Sequence, residues 1–293
     1  MTPWLVAAGC CLAVGVWSPM LLNGSGRMEL HMIDVDQGDA VALRTPRGRW
    51  VLFDAGRSWK GGDAGQRQVI PYIRMRGGDV AAFVLSHAHD DHVGGAPSVI
   101  EALRPALWIE PAYITTTPMY VKALAALRRE RIPWKRVHPG DSMVIDGVIL
   151  RVLGPDSLWT SHQDNPNEAS VVVMAEYRGT RFLFTGDAEL HEEAWLVERW
   201  GEALDADVLK LGHHGSRTSS SAAFVDRVTP RLALASVGAA NRYGHPSPET
   251  LQSMHARGVP VLRTDREGSI VVETDGRRLE IRTRRDHWAI PLR

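Results

Sequence analysis

The segment LSHAHDDHVGG, residues 85–95, places three histidines and two aspartates within the six positions from His87 to His92. It follows AAFVLS, a short apolar run that is typical of a buried strand. A tight turn after such a strand directs His87 and His89 to one face, while Asp91 and His92 approach from the other side. Imidazole and carboxylate groups at this density predict a site for zinc, manganese or iron, with enough ligands for two ions.

Cysteine usage and net charge narrow the possibilities further. Cys10 and Cys11 are the only cysteines, they are adjacent, and they lie in an apolar run far from the histidine cluster. This argues against a thiolate zinc site and against a disulfide framework. The chain carries 34 basic and 34 acidic side chains. That balance argues against a strongly electrostatic nucleic-acid binder, which usually has a basic excess.

The N-terminal segment is a separate unit. Residues 2–23 carry no charge, and about 20 apolar residues are enough to span a bilayer. No Lys or Arg precedes the run, and the run is longer than the apolar core of a typical signal peptide, so a membrane helix is the favoured interpretation. A cleaved signal sequence and a buried helix are the alternatives. The predicted organisation is an apolar membrane segment at residues 1–23 and one globular domain at residues 24–293.

The globular part predicts an α/β fold. Its opening is rich in short apolar and β-branched runs, helical stretches stand between the later strands, and polar loops follow the strand ends. Two sheets that are covered by helices on their outer faces would bury these apolar runs. We therefore expect a layered α/β/β/α arrangement.

Four segments in this order make the chain similar to the metallo-β-lactamase superfamily. HAHDDH fits the HxHxDH signature, and LFDAG, FLFTGD and KLGHHGS follow in the family's order. The resemblance implies that Asp54 braces the metal loop as an outer partner of the ligands. It implies that Asp187 bridges two metals, and that His213 or His214 is the last metal histidine. Spacing does not decide between these two, although the strand end favours His213.

A larger set of segments resembles the ComEC-type competence proteins, which move transforming DNA into bacteria. The set comprises DVDQGDA, NEASVVV, FLFTGD, LKLGHHGSRTSSS and GAANRYGHPSPET, and the similarity extends from Arg27 to the C-terminus. In that family such a domain lies outside the cytoplasm and follows a membrane channel. The resemblance therefore implies a membrane-anchored, extracytoplasmic hydrolase domain, with DNA as substrate and a channel region as partner. Asp36 stands where the family has glycine, a minor departure.

One metal ligand of many superfamily members is missing. At the place of a histidine between the HxHxDH turn and the GD aspartate, this chain has NEAS, with Asn167 and Ser170. His162 lies nearby and is the candidate to take the place of the missing superfamily histidine. Without that histidine, His87, His89 and Asp187 hold the first ion with Asn167 or water, so this ion is expected to be weakly bound. The expected cofactors are two divalent ions, zinc or manganese.

Such a centre suits phosphodiester hydrolysis, because two ions activate a water and clamp the attacking and leaving oxygens. Asp187 would bridge the ions, Asp91 would orient the hydroxide, and His245 is the candidate proton donor to the leaving oxygen. The predicted phosphate or substrate contacts are Asn241, Arg242, Tyr243, Ser216 and Thr218. Asp39 is expected either to brace the loop beneath the metals or to serve only in a turn.

Three functions fit these residues. The first is a nuclease that acts on transforming DNA during uptake. The second is an exported or anchored hydrolase of another phosphoester or ester, since fold does not decide substrate. The third is a catalytically weak domain that guides DNA. Asp91, Asp187 and HHGS argue against the third, because a decayed site has no reason to keep so many ligands.

Overall fold

The computed structural model describes residues 24–113 and 115–292. The predicted membrane segment at residues 1–23 lies outside this part of the chain. Within the described ranges, no helix is both long and apolar enough to cross a membrane.

Short strands and short helices alternate along the chain. The strands are β1 (Met28–Met32), β2 (Val41–Arg44), β3 (Trp50–Phe53), β4 (Ser58–Trp59), β5 (Gly62–Asp63), β6 (Val80–Val84), β7 (Trp108–Glu110), β8 (Trp134–Arg136), β9 (Ser142–Ile145), β10 (Val148–Gly154), β11 (Val172–Tyr177), β12 (Thr180–Phe184), β13 (Val208–Lys210), β14 (Leu232–Ala235), β15 (Val261–Arg263), β16 (Ile270–Thr274), β17 (Arg278–Arg282) and β18 (His287–Pro291). The helices are α1 (Ile70–Arg76), α2 (Asp90–Val93), α3 (Ala96–Leu103), α4 (Pro118–Glu130), α5 (Ser157–Thr160), α6 (Leu190–Trp200), α7 (Ala222–Val228), α8 (Pro248–Ala256) and α9 (Thr264–Glu267). Single turns of other helix types occupy Gly65–Val69, Pro166–Ala169, Gly201–Leu204 and Gly212–Gly215.

Two large sheets contain most of the strands. The first has the order β18-β17-β16-β1-β2-β3-β6-β7-β8, and the second has the order β15-β14-β13-β12-β11-β10-β9. In the first sheet β3, β6, β7 and β8 are parallel neighbours, and the other pairs are antiparallel. In the second sheet β12, β13, β14 and β15 are parallel neighbours. Each sheet thus has a parallel half whose strands end at a common edge, where ligands bind in α/β proteins.

Three apolar layers hold the sheets and helices together. The inner faces of the sheets pack against each other, with the Phe53 and Phe184 rings stacked at 4.3 Å between centroids. A second layer lies between the first sheet and the helices α1, α3 and α4, and includes Phe83 stacked on Trp108. A third lies between the second sheet and the helices α6, α7 and α8. The predicted α/β/β/α sandwich is confirmed.

Local signals explain where several helices begin. Ser221 Oγ accepts a hydrogen bond from Phe224 N, and Ser247 Oγ accepts one from Thr250 N, so both serines are N-caps. The polar segment after β10 is not wholly a loop, contrary to expectation. Asp156 caps α5 by accepting a hydrogen bond from Trp159 N at 2.7 Å, and Pro166–Ala169 adds a 3₁₀ turn. Short capped turns of this kind carry too few apolar residues to show a helical period.

Candidate metal centre

The metal loop leaves the first sheet at the end of β6. His87 and His89 precede α2, and His87 Nε2 lies 3.0 Å from His89 Nδ1. His92 projects from α2 into the same site, and its ring centroid is 4.2 Å from that of His87. The side chains of His87 and His92 are fully buried. The HAHDDH motif therefore brings its imidazoles together, as the sequence pattern predicts.

Asp54 and Ser86 fix the back of this loop. Asp54, directly after β3, accepts hydrogen bonds from Ser86 N at 2.8 Å, Ser86 Oγ at 2.7 Å and His92 Nδ1 at 2.8 Å. The bond to His92 Nδ1 turns His92 Nε2 toward the centre of the site. This is the outer-partner position predicted for Asp54, and it is the usual way in which a carboxylate orients a ligating histidine.

Asp187 lies at the centre of the cluster, directly after β12. Its Oδ2 faces the Nε2 atoms of four histidines, and these are His92 at 3.2 Å, His213 at 3.7 Å, His214 at 3.7 Å and His87 at 4.0 Å. The preceding Gly186 has φ 53°, and a Cβ there would lie 2.7 Å from Ser86 Cβ. Glycine is therefore required for Asp187 to enter a space that the metal loop already lines.

Asp91, His92 and His214 form one half of the centre. Their ligand atoms lie within 4.8 Å of one another, and His214 Nε2 is 3.3 Å from Asp91 Oδ2. His214 is fully buried, whereas the side chain of His213 is 26% exposed. The geometry thus favours His214 for the role of last metal histidine, whereas the strand-end argument favoured His213.

A backbone feature explains why the strand-end argument is a poor guide here. His213 and His214 both have left-handed conformations, with φ 44° and 56°. Two successive residues of this kind break the alternation of a strand, so their rings diverge, with centroids 6.0 Å apart. Non-glycine residues in this region are uncommon and are held there by surrounding structure, often at functional sites.

A buried ion pair lies beneath the ligands. The Lys210 ammonium pairs with Asp39, donates to Gly186 O at 2.6 Å and lies 3.7 Å from Asp187 Oδ1. Asp39 Oδ1 lies 3.3 Å from His214 Nδ1. Asp39 therefore braces the centre from below, one of the two roles expected for it. Lys210 lies within the KLGHHGS motif, but nothing in the motif itself indicates this role for it.

The pKa of each ionisable group in this cluster depends on the charges of its neighbours. Burial opposes ionisation of Asp39, but Lys210 and His214 hold its pKa at about 2. Burial lowers the pKa of His214, yet Asp187 and Asp39 outweigh it and raise the pKa to about 10. His92 has its pKa raised well above its usual value because Asp187 and Asp54 outweigh the effect of burial. An ion that binds here must displace these protons, so binding is coupled to proton release.

The donor set fits divalent metal ions. His92 Nε2 and Asp187 Oδ1 are buried and have no hydrogen-bond partner, which is rare for buried polar atoms. His87, whose pKa burial and His92 lower well below the ordinary value, presents a neutral imidazole. Neutral imidazole and carboxylate oxygens together suit zinc or manganese.

A hydrogen-bond network around Glu189 joins the NEAS turn to the HHGS turn. Glu189 Oε1 accepts from His213 Nδ1 at 2.8 Å, Thr218 Oγ1 at 2.8 Å and Asn167 Nδ2 at 3.3 Å. Ser170 lies deeper, where its Oγ accepts from Asp187 N at 3.0 Å. Asn167 and Ser170 thus support the ligands from outside. No local sequence pattern indicates a role for Glu189, because its partners lie 22 to 29 residues away along the chain.

Two predicted phosphate contacts have structural partners instead. Ser216 and Thr218 precede α7, which begins with Ser221 as its cap. Ser216 is buried, and its Oγ lies 2.9 Å from Thr218 Oγ1, which donates to Glu189. Their hydroxyls belong to the Glu189 network, so the prediction of direct phosphate contact is not favoured.

The NRYGHP loop lies over the centre. Asn241 Nδ2 donates to Gly238 O at 2.9 Å and to His245 O at 3.0 Å, and its Oδ1 accepts from His245 N at 2.9 Å. Asn241 therefore uses its amide to close the loop, at the wall of a cavity that Arg242 and Tyr243 also line. Arg242 and Tyr243 are exposed, as a substrate contact requires.

His245 lies beside the ligands, its ring centroid 5.5 Å from that of His213. Burial, followed by His213 and His214, lowers the pKa of His245 to about 4. Its neutral form therefore prevails near pH 7. The predicted role of His245 as proton donor therefore requires its pKa to rise when an anionic substrate binds, since a bound metal cation would lower it further.

Two connected cavities open above the ligands. The first, of about 320 Å³, is lined by His89, Asp91, Asp187, His213, His214 and His245 among others. The second, of about 400 Å³, shares Gln37, Asp90, Asp91 and Tyr243 with it and continues toward Arg57 and Arg242. His162 lines neither cavity. It is exposed, and its Nδ1 lies 2.8 Å from Leu158 O, so the proposed substitution for the missing ligand is not favoured.

Comparison with known proteins agrees with this geometry. The family model described as "Metallo-beta-lactamase superfamily" matches residues 33–238. The chain belongs to this superfamily. The metallo-β-lactamase-fold protein YhfI from Bacillus subtilis shares the fold at a TM-score of 0.57 and 11% identity, covering 85% of this chain and 100% of that chain.

The curated relatives confirm the resemblance to ComEC-type competence proteins. ComE operon protein 3 of Bacillus subtilis is 31% identical over 280 residues, which cover 91% of this chain and 35% of that protein. Competence protein ComA of Neisseria gonorrhoeae is 31% identical over 288 residues, which cover 92% of this chain and 38% of that protein. This metallo-β-lactamase-fold chain therefore spans about a third of the length of these relatives.

A buried acidic layer supports the outer side of the centre. Glu168 accepts hydrogen bonds from Glu192 N at 2.7 Å and His191 N at 3.2 Å, which caps the start of α6. Glu192 Oε2 accepts from Ser170 N at 3.2 Å, while its Oε1 is buried without a partner. Burial, and then the neighbouring Glu168, raise the pKa of Glu192 well above its usual value. Folded Glu192 thus keeps its proton when an exposed glutamate has lost it.

Glu192→Gln is expected to flatten the pH dependence of folding stability. In the unfolded chain Glu192 ionises near pH 4.5, whereas the folded chain retains the proton. Above this pH the native protein therefore loses stability until the raised folded pKa is passed, by up to about 1.4 kcal/mol per pH unit. The neutral glutamine lacks this loss, so the variant gains on the native protein as pH rises from 5 to 7. Urea unfolding at pH 5, 6 and 7 measures this difference.

Glu198→Gln is the matched control, because Glu198 is exposed on the same helix. It should leave the pH dependence of the native protein unchanged. Parallel stability curves for the native protein and Glu192→Gln would show that Glu192 is ionised in the fold.

Proposed function

We propose that this chain is a metal-dependent phosphodiesterase domain that cuts DNA during its uptake, on the outer side of a membrane. One observation carries the proposal. Four imidazole nitrogens surround Asp187 Oδ2 at the floor of an open polar cavity. Burying this many ionisable groups together is costly for folding, and buried charges are usually paired or coordinate metals.

The ligands divide into two halves around Asp187. One half has His87 and His89, and the other has Asp91, His92 and His214. Two divalent ions held there would lower the pKa of a bound water and neutralise charge on a phosphate. Burial opposes ionisation of Asp91, but His214 and His92 hold its pKa well below its usual range, so its carboxylate is charged and able to orient that water.

The second cavity offers a path for a nucleic-acid strand. Arg57 and Arg242 line it, and Arg57 is paired with Asp36 at its edge. The Tyr243 side chain is 68% exposed, and its ring stacks on His245 with centroids 5.6 Å apart. An exposed aromatic ring beside cationic groups suits a strand with unpaired bases, since stacking is tolerant of sequence. A local path of this kind is compatible with the balanced net charge of the whole chain.

The relatives support DNA over other phosphodiesters. One of them is named a competence protein, and the ComEC-type proteins that this chain resembles move transforming DNA. The remaining two thirds of those relatives' length leave room for a channel region as partner. We propose that the domain is anchored to the membrane beside such a region and processes DNA as it enters.

The direct test is hydrolysis by the full chain with Mn²⁺ or Zn²⁺. The substrates are single-stranded DNA, double-stranded DNA and RNA of one sequence, together with bis(p-nitrophenyl) phosphate. We expect cleavage of DNA, with a loss of at least about 100-fold in Asp91→Asn because the oriented water is lost. EDTA should abolish cleavage by the native chain.

Each other outcome has a defined meaning. Turnover of bis(p-nitrophenyl) phosphate without cleavage of any nucleic acid would replace DNA by another phosphodiester as substrate. Binding of DNA without hydrolysis of any substrate would favour a domain that guides DNA and would reject the enzymatic proposal.

A further inference from the structure

The two halves of the centre are unequal in the ligands that they offer. The half with Asp91, His92 and His214 has three donors in addition to Asp187. The half with His87 and His89 has only two, because the NEAS turn supplies an asparagine. Zinc sites usually have four ligands, and three protein donors with an open position are the minimum of a catalytic site.

We propose that His213 supplies the missing donor, so that the adjacent residues His213 and His214 serve opposite halves of one metal centre. Glu189 is the positioning residue that holds the His213 ring. This inference rests on the metal centre of the proposed function and adds the identity of its remaining ligand. It also assigns a reason to the unusual backbone of the HHGS turn.

The His213 ring is oriented so that its Nε2 faces the centre. Its Nδ1 lies 2.8 Å from Glu189 Oε1, and a carboxylate oxygen can only accept, so Nδ1 carries the proton. The lone pair of Nε2 is then free, and Nε2 lies 3.7 Å from Asp187 Oδ2. This is nearer than the 4.0 Å of His87 Nε2, which belongs to the HAHDDH motif of the metal loop.

The His214 ring is oriented toward the half of the centre that contains Asp91. Its Nδ1 donates to Ser236 O at 2.9 Å, so its Nε2 is the nitrogen turned toward the site, where it faces Asp91 Oδ2 at 3.3 Å. The two left-handed residues turn their rings 63° apart, and both Nε2 atoms lie 3.7 Å from Asp187 Oδ2. Two neighbours in the chain thus approach one carboxylate oxygen along different directions.

Several hydrogen bonds hold the Glu189 side chain in place beside His213. In addition to His213, it accepts from Thr218 Oγ1 at 2.8 Å, Asn167 Nδ2 at 3.3 Å and Asn165 Nδ2 at 3.0 Å. Burial opposes its ionisation, but the bonds from His213 and Thr218 lower its pKa. A charged carboxylate held at four points orients an imidazole firmly, as outer partners of metal ligands do. Asn167 therefore serves the site indirectly, through Glu189.

The position of His213 leaves its half of the centre open to the cavity. His213 lines the 320 Å³ cavity together with His89, Asn167 and Asp187. It is not among the buried groups whose ligand atoms already lie within 4.8 Å of one another. The His213 half is thus the more open one, and its ion is expected to be the more exchangeable of the two.

Metal titration of the full chain tests the proposal without reference to activity. Metal-free protein is titrated with Mn²⁺ and with Zn²⁺ by calorimetry, and bound metal is counted by mass spectrometry after dialysis. The native chain should bind two ions. His213→Gln should keep one ion at native affinity and weaken the other by more than the roughly 10- to 100-fold typical of an outer partner.

Glu189 variants separate orientation from folding. Glu189→Ala should weaken the same ion by about 10- to 100-fold, whereas Glu189→Gln, which keeps an acceptor for His213 Nδ1, should weaken it less. His191→Gln is the matched control, because His191 is exposed and bonds to Glu168. It should bind both ions as the native chain does. Circular dichroism of every variant verifies the fold.

Two results would overturn the inference in distinguishable ways. Native affinity for both ions in His213→Gln would reject His213 as a ligand and leave the metal centre itself intact. A native chain that binds fewer than two ions would reject the two-ion centre on which the proposed function depends, and the inference with it.

Discussion

Asp187→Asn is expected to remove both hydrolysis and tight metal binding. The carboxylate faces both ligand halves, with Oδ2 between 3.2 and 4.0 Å from four histidine nitrogens. An amide is neutral, and it offers a single oxygen acceptor in place of two. Loss of the metals removes several kcal/mol of transition-state stabilisation, so hydrolysis should fall by at least about 1,000-fold.

Hydrolysis of DNA and metal content are measured on the same preparations. Asp226→Asn is the control, since Asp226 is an exposed aspartate of α7 that pairs with Arg257. It should leave metal content and hydrolysis unchanged. Two bound ions and native hydrolysis in Asp187→Asn would contradict the central position of this carboxylate.

The local parts of the site were predictable from sequence because their residues are contiguous. HAHDDH lies on one turn after one strand, so spacing alone brings His87, His89 and His92 together. Asp54 and Asp187 follow strands of different sheets. They were found through the order of motifs in a known superfamily, since no local pattern indicates that two strand ends meet.

The parts that escaped prediction depend on contacts across the fold. In the sequence, Glu189 resembles any polar residue before a helix, and Lys210 is a charged residue in an otherwise apolar strand. Their roles exist only where the NEAS, GD and HHGS turns converge. The choice between His213 and His214 depended on the left-handed backbone conformation of both residues. Nothing in the sequence indicates this conformation for either histidine.

The layered fold was predictable because apolar runs must be buried in pairs of layers. The boundaries of individual strands were harder to predict from the sequence. The exposed edge strand β8, with the sequence WKR, carries no alternation of apolar and polar residues, and β18 is likewise a half-exposed edge strand. Such strands form because a neighbouring strand offers hydrogen bonds, and this information is absent from their own residues.

Lys210→Met is expected to destabilise the metal-free protein by about 3–5 kcal/mol, the range for removing one partner of a buried ion pair. The ammonium is buried, pairs with Asp39, and lies 3.7 Å from Asp187 Oδ1. Asp39 and Asp187 raise the pKa of Lys210 despite its burial. Methionine fills much the same volume but removes the positive charge of Lys210, while His92 and His214 remain beside these carboxylates.

Metal ions should reverse part of this loss. Divalent ions supply positive charge beside Asp187, so the destabilisation of Lys210→Met should be smaller with saturating Mn²⁺ than in EDTA. Urea unfolding under both conditions measures the difference. Lys122→Met is the control, because Lys122 is exposed on α4, and its effect should stay within about 0.5 kcal/mol. An equal loss for Lys210→Met with and without metal would mean that Lys210 stabilises packing alone, and that the charge beneath the ligands is not linked to the ions above them.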